Sequence, residues 1–246
     1  ASATLPGGVA VDIATQYPFE DAAVVMVTAP SPVSVYLRIP GWATDATVNG
    51  VHAANGTMWQ GRADKGSTTF RVEFRPRVRL EEWDAGAVSV HRGALMYSVP
   101  IGANYTVYGH HFGTDDMSND YYLEPTTPWR FALDADLGAP ETSLKFVSSG
   151  YKEGTAPFKH SGWPSRIDAT VRPLPWAMVD NSAAPPPASP ACIGAGHPSC
   201  GPPQRQVLAP HGATDLRIGE LPLAFHEGLA TTGARPQDSS SGSDTW

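Results

Sequence analysis

Apolar and polar side chains alternate with a period of two through the first third of the chain. Val33 to Ile39 places valine, leucine and isoleucine on one face and serine, tyrosine and arginine on the other. Thr69 to Arg75 repeats the pattern with its phenylalanines and valine inward. This period is typical of a half-buried β-strand. Ala22 to Ala29 is almost wholly apolar and predicts one buried strand.

Turn signals separate these segments. Pro40-Gly41 ends one strand, and Asn49-Gly50 stands between two short β-prone dipeptides, where it predicts a hairpin. The chain has 24 glycines and 24 prolines, and no segment keeps a 3.6-residue period over three turns. A helix bundle is therefore excluded.

The same reasoning predicts further short strands along the rest of the chain: Val78 to Leu80, Val88 to Val90, Gly93 to Pro100, Tyr121 to Leu123, Trp129 to Leu133, Leu144 to Val147, Ile167 to Val171 and Leu216 to Ile218. We predict an all-β fold of two antiparallel β-sandwiches in series, 1–99 and 100–230. Residues 184–203 hold seven prolines and predict an extended connector. The Ser-, Asp- and Gly-rich tail, 231–246, is expected to be disordered.

Charge and hydropathy narrow the range of partners. Lys and Arg number 17 against 24 Asp and Glu, a net charge of −7, and the basic residues form no run. Nucleic acid is therefore not expected as a partner. No apolar stretch approaches the roughly 20 residues of a membrane span, so a membrane is not expected either. Because Ala1 opens the chain without a leader pattern, we expect a piece of a longer polypeptide.

The two cysteines, Cys192 and Cys200, lie in the proline-rich segment. They would form a local disulfide in an oxidising compartment and remain free thiols elsewhere. Glycosylation sequons begin at Asn55 and Asn104. The compartment stays undetermined, with secretion favoured by these features.

Sequence motifs exclude several enzyme classes. Neither a Gly-x-Ser-x-Gly elbow nor a phosphate-binding glycine loop occurs. Glu81, Glu82 and Asp84 alternate faces on one strand and its turn, which favours the wet side of a sheet over a catalytic carboxylate pair. Cys192, His197 and Cys200 fall one ligand short of a zinc site. We assign no catalytic residue and no metal ligand.

A polar loop from Gly109 to Asp120 is the densest cluster of imidazoles and carboxylates. A metal is conceivable there, but adjacent His110 and His111 would point to opposite faces of an extended backbone. A solvated or sugar-facing loop is the favoured interpretation. Trp163, between Gly162 and Pro164, is the tryptophan expected to be exposed. The candidate carbohydrate-contacting residues are Trp163, Tyr122, Trp129, His110 and Asp120.

Several motifs together resemble the C-terminal β-rich half of the β-L-arabinofuranosidase family, glycoside hydrolase family 127. The most specific is Tyr36-Leu37-Arg38-Ile39-Pro40-Gly41-Trp42 followed by Val48-Asn49-Gly50. The others are Gln16 to Glu20, His91 to Tyr97 with Ala94 for the usual proline, Asn119 to Leu133, and Leu208 to Ile218 with His211 for the usual tyrosine.

The resemblance implies that catalysis is performed by a domain other than this β-rich portion. The family removes terminal arabinofuranose from glycans with an N-terminal six-hairpin helical barrel that carries a glutamate, a zinc site and a cysteine nucleophile. None of these motifs is found in this chain, so no catalytic residue is carried over and any zinc would belong to the missing domain. We therefore expect a non-catalytic portion, inactive alone, whose partner is the catalytic barrel of the parent chain and whose docking surface is unusually apolar.

Two alternatives stay open. The chain would be a free-standing carbohydrate-binding module if exposed tryptophans or tyrosines line a shallow groove. It would be a calcium- or zinc-dependent adhesion module if the His110 to Asp120 loop binds metal.

Overall fold

A computed structural model describes residues 1–110, 119–152, 154–159, 162–193 and 200–225. Within these ranges the secondary structure is β-strand apart from the short 3-10 helices Asp84–Gly86, Pro140–Thr142 and His211–Ala213. The sheets pair antiparallel, so the predicted all-β class is confirmed. No helix in the described ranges is long and apolar enough to cross a membrane. The predicted tail, 231–246, lies outside them.

The first part of the chain contains eight strands: β1 (Ser2–Leu5), β2 (Val9–Thr15), β3 (Ala22–Ala29), β4 (Val33–Arg38), β5 (Thr47–Val48), β6 (Val51–His52), β7 (Met58–Ala63) and β8 (Gly66–Glu73). Six of them form a sheet in the order β1-β2-β3-β8-β5-β6, and β4 pairs with β7 alone.

Side chains from both layers share one buried cluster, which makes this part a sandwich. Val27 of β3 and Val72 of β8 are buried there together with Ala63 of β7, and Leu37 of β4 packs against them. Removing such side chains from water stabilises the fold by roughly 1.5–3 kcal/mol for each fully buried valine, leucine or phenylalanine. Strand β3 is buried on one face only, since Met26 is 39% exposed. The expectation of a fully buried strand there was wrong, because the outer face of this sheet is uncovered in the described chain.

The predicted hairpin at Asn49-Gly50 is present. Both residues have positive φ, 51° and 78°, as a two-residue turn of this type requires. The Asn49 side chain also accepts a hydrogen bond from the Arg71 backbone N–H at 2.8 Å, which ties the turn to β8. The alternation over Val33 to Ile39 is likewise found, with the aliphatic side chains inward.

The rest of the chain contributes thirteen strands: β9 (Val78–Glu82), β10 (Ala87–Arg92), β11 (Leu95–Ile101), β12 (Ala103–His110), β13 (Asn119–Pro125), β14 (Phe131–Leu133), β15 (Lys145–Ser148), β16 (Ser165–Pro173), β17 (Met178–Val179), β18 (Ser182–Ala183), β19 (Gln204–Pro210), β20 (Leu216–Ile218) and β21 (Leu221–Pro222).

Nine of these strands form the largest sheet. Its main path is β14-β16-β19-β11-β10-β21, with β15 on β16, β20 on β11 and β9 on β10. A second buried cluster lies against it and includes Val88, Val99, Ile167 and Leu208. Sequence pattern placed residues 78–99 in the first sandwich. Their buried side chains pack in the second cluster instead, because β10 and β11 take β19, β20 and β21 as antiparallel partners.

The proline-rich segment is laid along this second core. Ser189 donates its backbone N–H to Ala85 and its hydroxyl to Gly86, and Ala191 is fully buried. The structure joins Cys192 to Cys200 in a disulfide eight residues apart, and both pack on the core.

An ion pair connects the two cores. Arg92, at the end of β10, donates to both carboxylate oxygens of Asp21 at 3.0 and 2.6 Å, and its guanidinium lies 3.7 Å from the centre of the Phe146 ring. Phe19, two residues from Asp21, contacts the rings of Tyr151 and Phe158 from the later part of the chain. This junction holds the two sandwiches in contact.

We predict that Asp21→Ala destabilises the protein by about 1–2 kcal/mol, because the bidentate pair is partly shielded from water and Arg92 loses its partner. Urea unfolding gives the value. The matched control, Glu20→Ala, removes an exposed neighbouring carboxylate and should change stability by less than about 0.5 kcal/mol. Equal effects of the two variants would show that the ion pair does not hold the junction.

Removing the disulfide should cost about 2 kcal/mol, since it closes a short loop and restricts the unfolded chain. Reduction of the native protein, followed by thermal or urea unfolding, measures this. Reductant should leave the stability of the double variant Cys192→Ser, Cys200→Ser unchanged. A native protein whose stability is indifferent to reductant would contradict the prediction.

Candidate functional site

Large exposed side chains are grouped on a two-stranded ribbon, β12–β13, whose strands pair only with each other among the described residues. Tyr105 lies opposite Leu123, and Val107 opposite Tyr121, on one face. A bulge between Val107 and Gly109 interrupts the register. We call this element the tyrosine ribbon.

Five large side chains of the tyrosine ribbon are open to solvent. Their exposed fractions run from 43% to 65%, in Tyr105, Val107, Tyr108, Tyr121 and Tyr122. The rings of Tyr108 and Tyr122 lie 4.7 Å apart on one face, and those of Tyr105 and Tyr121 lie 6.0 Å apart, edge to face. Apolar surface is thus present on both faces of one projecting element.

The base of the tyrosine ribbon is fixed to the large sheet. Tyr105 donates its hydroxyl to the Asp215 carboxylate at 2.5 Å, and that hydrogen bond, with a smaller effect of burial, raises the pKa of Tyr105 to about 12. The backbone N–H of Thr126 donates to the Gly102 carbonyl at 2.7 Å, and the Gly102 N–H donates to the Thr127 hydroxyl at 2.9 Å. These bonds fix where the ribbon leaves the sheet.

Three candidate carbohydrate residues lie on the tyrosine ribbon. Tyr122 and Asp120 belong to β13, and His110 ends β12 opposite Asn119. Most of the predicted polar loop, 111–118, lies outside the described residues. Among the described residues no three His, Cys, Asp or Glu side chains come close enough to hold a metal ion.

The two candidate tryptophans lie elsewhere and differ in exposure. Trp129 is only 7% exposed. The centre of its ring lies 5.7 Å from that of the Trp176 ring and 5.0 Å from the Arg130 guanidinium. Its ring faces contact protein, so it offers no open platform for a sugar. Trp163 is half-buried and lines a groove of about 580 Å³ beside β16 and β19.

A serine–histidine pair that the sequence did not reveal joins β11 of the large sheet to the 3-10 helix His211–Ala213. Ser98 Oγ is 2.6 Å from His211 Nδ1, and Arg217 Nε donates to His211 Nε2 at 2.9 Å. A guanidinium has only donors, so Nε2 must accept and the ring proton must sit on Nδ1. His211 therefore donates to Ser98 and does not serve as its base. Ser98, 1% exposed, is a structural residue here.

A second buried histidine is similarly engaged. His91 Nε2 lies 2.8 Å from Ser89 Oγ and 3.4 Å from a carboxylate oxygen of Glu81, and Trp83 donates to the same serine at 2.8 Å. Burial lowers the pKa of His91 despite the opposing effect of Glu81. Glu81 also pairs with Arg79 at 2.9 Å and is exposed, in line with the wet side of a sheet.

Zinc chemistry of the kind that the family resemblance implies does not fit the cysteines of this chain. Cys192 and Cys200 are both consumed by the disulfide, so neither offers a thiolate to a metal or to a substrate.

Comparison with known proteins finds similarity of fold alone. No family model and no curated protein matches the chain. A structure described as a glycoside hydrolase matches 91% of this chain and 34% of its own, with a TM-score of 0.55 and 17% identity.

Two further matches are described as family 127 enzymes. The β-L-arabinofuranosidase Ara127N-Se from Geobacillus stearothermophilus T6 gives a TM-score of 0.51 at 16% identity, over 91% of this chain and 31% of its own. The β-arabinofuranosidase BT3674 gives a TM-score of 0.51 at 15% identity, over 92% of this chain and 34% of its own. The chain therefore spans about a third of the length of these structures, and its resemblance to family 127 is confirmed at the level of fold.

The His211 network predicts a pH dependence of stability. Burial, with a smaller contribution from Arg217, lowers the pKa of His211 below its ordinary value, so the unfolded chain takes up a proton first as the pH falls. Stability should therefore decline once the pH drops below about 6.5. Urea unfolding between pH 7.5 and 5.5 measures this.

The variant His211→Asn keeps an acceptor for Arg217 and a donor for Ser98 but cannot titrate. It should lose less stability over this pH range than the native protein, with His91 accounting for the remainder. Identical slopes in the two proteins would contradict the assignment.

Proposed function

We propose that this chain is the non-catalytic β-sandwich portion of a β-L-arabinofuranosidase-like glycoside hydrolase. It docks on and supports a separate catalytic domain that hydrolyses terminal arabinofuranosides of glycans. The proposal draws on the fold shared with about a third of two family 127 enzymes. Because the sequence identities are only 15% and 16%, this similarity concerns the fold alone. An argument for function must therefore rest on a structural feature of this chain.

The tyrosine ribbon is that feature. A two-stranded ribbon is marginally stable in water by itself, and this one keeps five large side chains open on two faces. Exposed aromatic side chains grouped on one element in this way are typical of a surface that binds a partner. Tyrosine suits such an interface, because its ring buries a large area at low entropic cost while the hydroxyl tolerates water.

The polar groups of the second core support a structural role. His211 donates to Ser98 instead of activating it, Glu81 is paired with Arg79, and the two cysteines are oxidised. These four groups, which have potential for nucleophilic or acid–base chemistry, are thus each occupied by an internal bond. The catalytic groups of the proposed enzyme would come from the docked domain.

A carbohydrate-binding module is the second candidate function. The Tyr108–Tyr122 ring pair and the groove at Trp163 favour it, because aromatic faces stack on the C–H surfaces of sugars. The two candidates assign different roles to the tyrosine ribbon, which either docks on protein or contacts glycan. The metal-dependent adhesion hypothesis stays a prediction, since its loop lies outside the described residues.

Co-expression with the helical barrel expected in the same parent chain tests the proposal. The native chain and Tyr36→Ser should co-purify with that domain, because Tyr36 is a 56% exposed tyrosine on β4, away from the ribbon. The double variant Tyr108→Ser, Tyr122→Ser should bind it at least about tenfold more weakly.

The purified chain alone should not hydrolyse 4-nitrophenyl β-L-arabinofuranoside. Turnover by the chain that disappears on changing one of its own side chains would contradict the proposal. So would full binding by the ribbon variant, or a source that encodes no such catalytic domain.

A further inference from the structure

The groove at Trp163 is built on the outer face of the large sheet. Arg166 and Asp168 alternate with buried residues along β16 and therefore share its outer face. Arg205 on β19 pairs with Thr170 of β16, which places it on the same outer face. These three charged side chains and Trp163 line a shallow opening of about 580 Å³. That size is in the range of small-ligand sites.

The groove carries positive charge on a protein whose net charge is −7. Arg166 donates to Asp168 at 2.8 Å, so these two charges offset one another. Arg205 is exposed, and within the described ranges its guanidinium forms no ion pair or side-chain hydrogen bond. One guanidinium is therefore available to a ligand. A guanidinium binds a carboxylate through two parallel N–H donors.

Trp163 supplies an apolar wall to the same groove. The ring is half-buried, and its Nε1 is inaccessible to solvent and has no partner among the described residues. The exposed part of the indole is therefore carbon, which suits the C–H face of a sugar ring.

We infer that this groove binds a uronic-acid residue of an acidic glycan. Arg205 holds the sugar carboxylate, the Trp163 indole packs on the ring, and Asp168 accepts from hydroxyls. A neutral sugar would leave the Arg205 charge without a partner, so the groove discriminates by charge as well as by shape. The inference deepens the glycan-binding candidate and does not require that the tyrosine ribbon docks on a catalytic domain.

Calorimetric titration of the full chain with tetragalacturonic acid tests it. The fully methyl-esterified tetramer has the same stereochemistry without the charge and should bind at least about tenfold more weakly. Affinity for the acid form should also fall as salt is raised. Poly-glutamate serves as an acidic polymer without sugar rings and should bind no better than the ester.

Two variants measure the contributions of Arg205 and Trp163 to binding separately. Arg205→Gln should lower affinity for the acid form about tenfold and leave that for the ester unchanged, whereas Trp163→Ala should weaken both. The matched control, Arg62→Gln, changes an exposed arginine of β7 whose side chain is 72% exposed and should have no effect. Arg205 is a surface residue, so its variant keeps the test valid even if Trp163→Ala fails to fold.

Equal binding of acid and ester would overturn the inference, as would equal binding of poly-glutamate, unchanged affinity in Arg205→Gln, or no binding of the acid form. None of these results bears on co-purification with a catalytic domain, so failure here and failure of the docking proposal are distinguishable.

Discussion

The burial of apolar surface is the constraint on which this account depends. The two cores satisfy it internally, since each sheet covers its valines, leucines and phenylalanines with a second layer or a connecting segment. The tyrosine ribbon does not, because in the described part of the chain its strands pair only with each other and large side chains are exposed on both faces. The proposed function, a scaffold that is completed by another polypeptide, draws on this uncovered element.

The tyrosine ribbon and the Trp163 groove are separate surfaces of the fold, the ribbon a two-stranded sheet of its own and the groove on the nine-stranded sheet. The ribbon continues from β11 and is held at its base by Tyr105 and Asp215. The groove lies over β16 and β19, whose inward side chains are core. Docking at one surface would therefore leave the other accessible, so support of a catalytic domain and recognition of its glycan are compatible in the same chain.

Local patterns predicted the elements whose two faces differ. The hairpin at Asn49-Gly50 and the strand from Val33 were evident because turn chemistry and one-sided burial leave a period-two signal. Strand β12 left none, since both of its faces are exposed. Strand β19 follows Pro202-Pro203 and opens on polar residues, which hid its central position in the sheet. The fold class could be predicted from local sequence patterns alone. The strand order could not, because it depends on pairing between strands that are far apart in the sequence.

The candidate sites were less predictable for the same reason. Burial of Trp129 depends on Trp176, and the role of Arg205 depends on the register between β16 and β19, neither of which a short segment encodes. Hydrogen–deuterium exchange of the chain with and without the proposed catalytic domain tests the central claim most directly. The account predicts slowed exchange in the two strands of the tyrosine ribbon, Ala103–His110 and Asn119–Pro125, on association. Association that leaves these amides unchanged and protects another surface would contradict it.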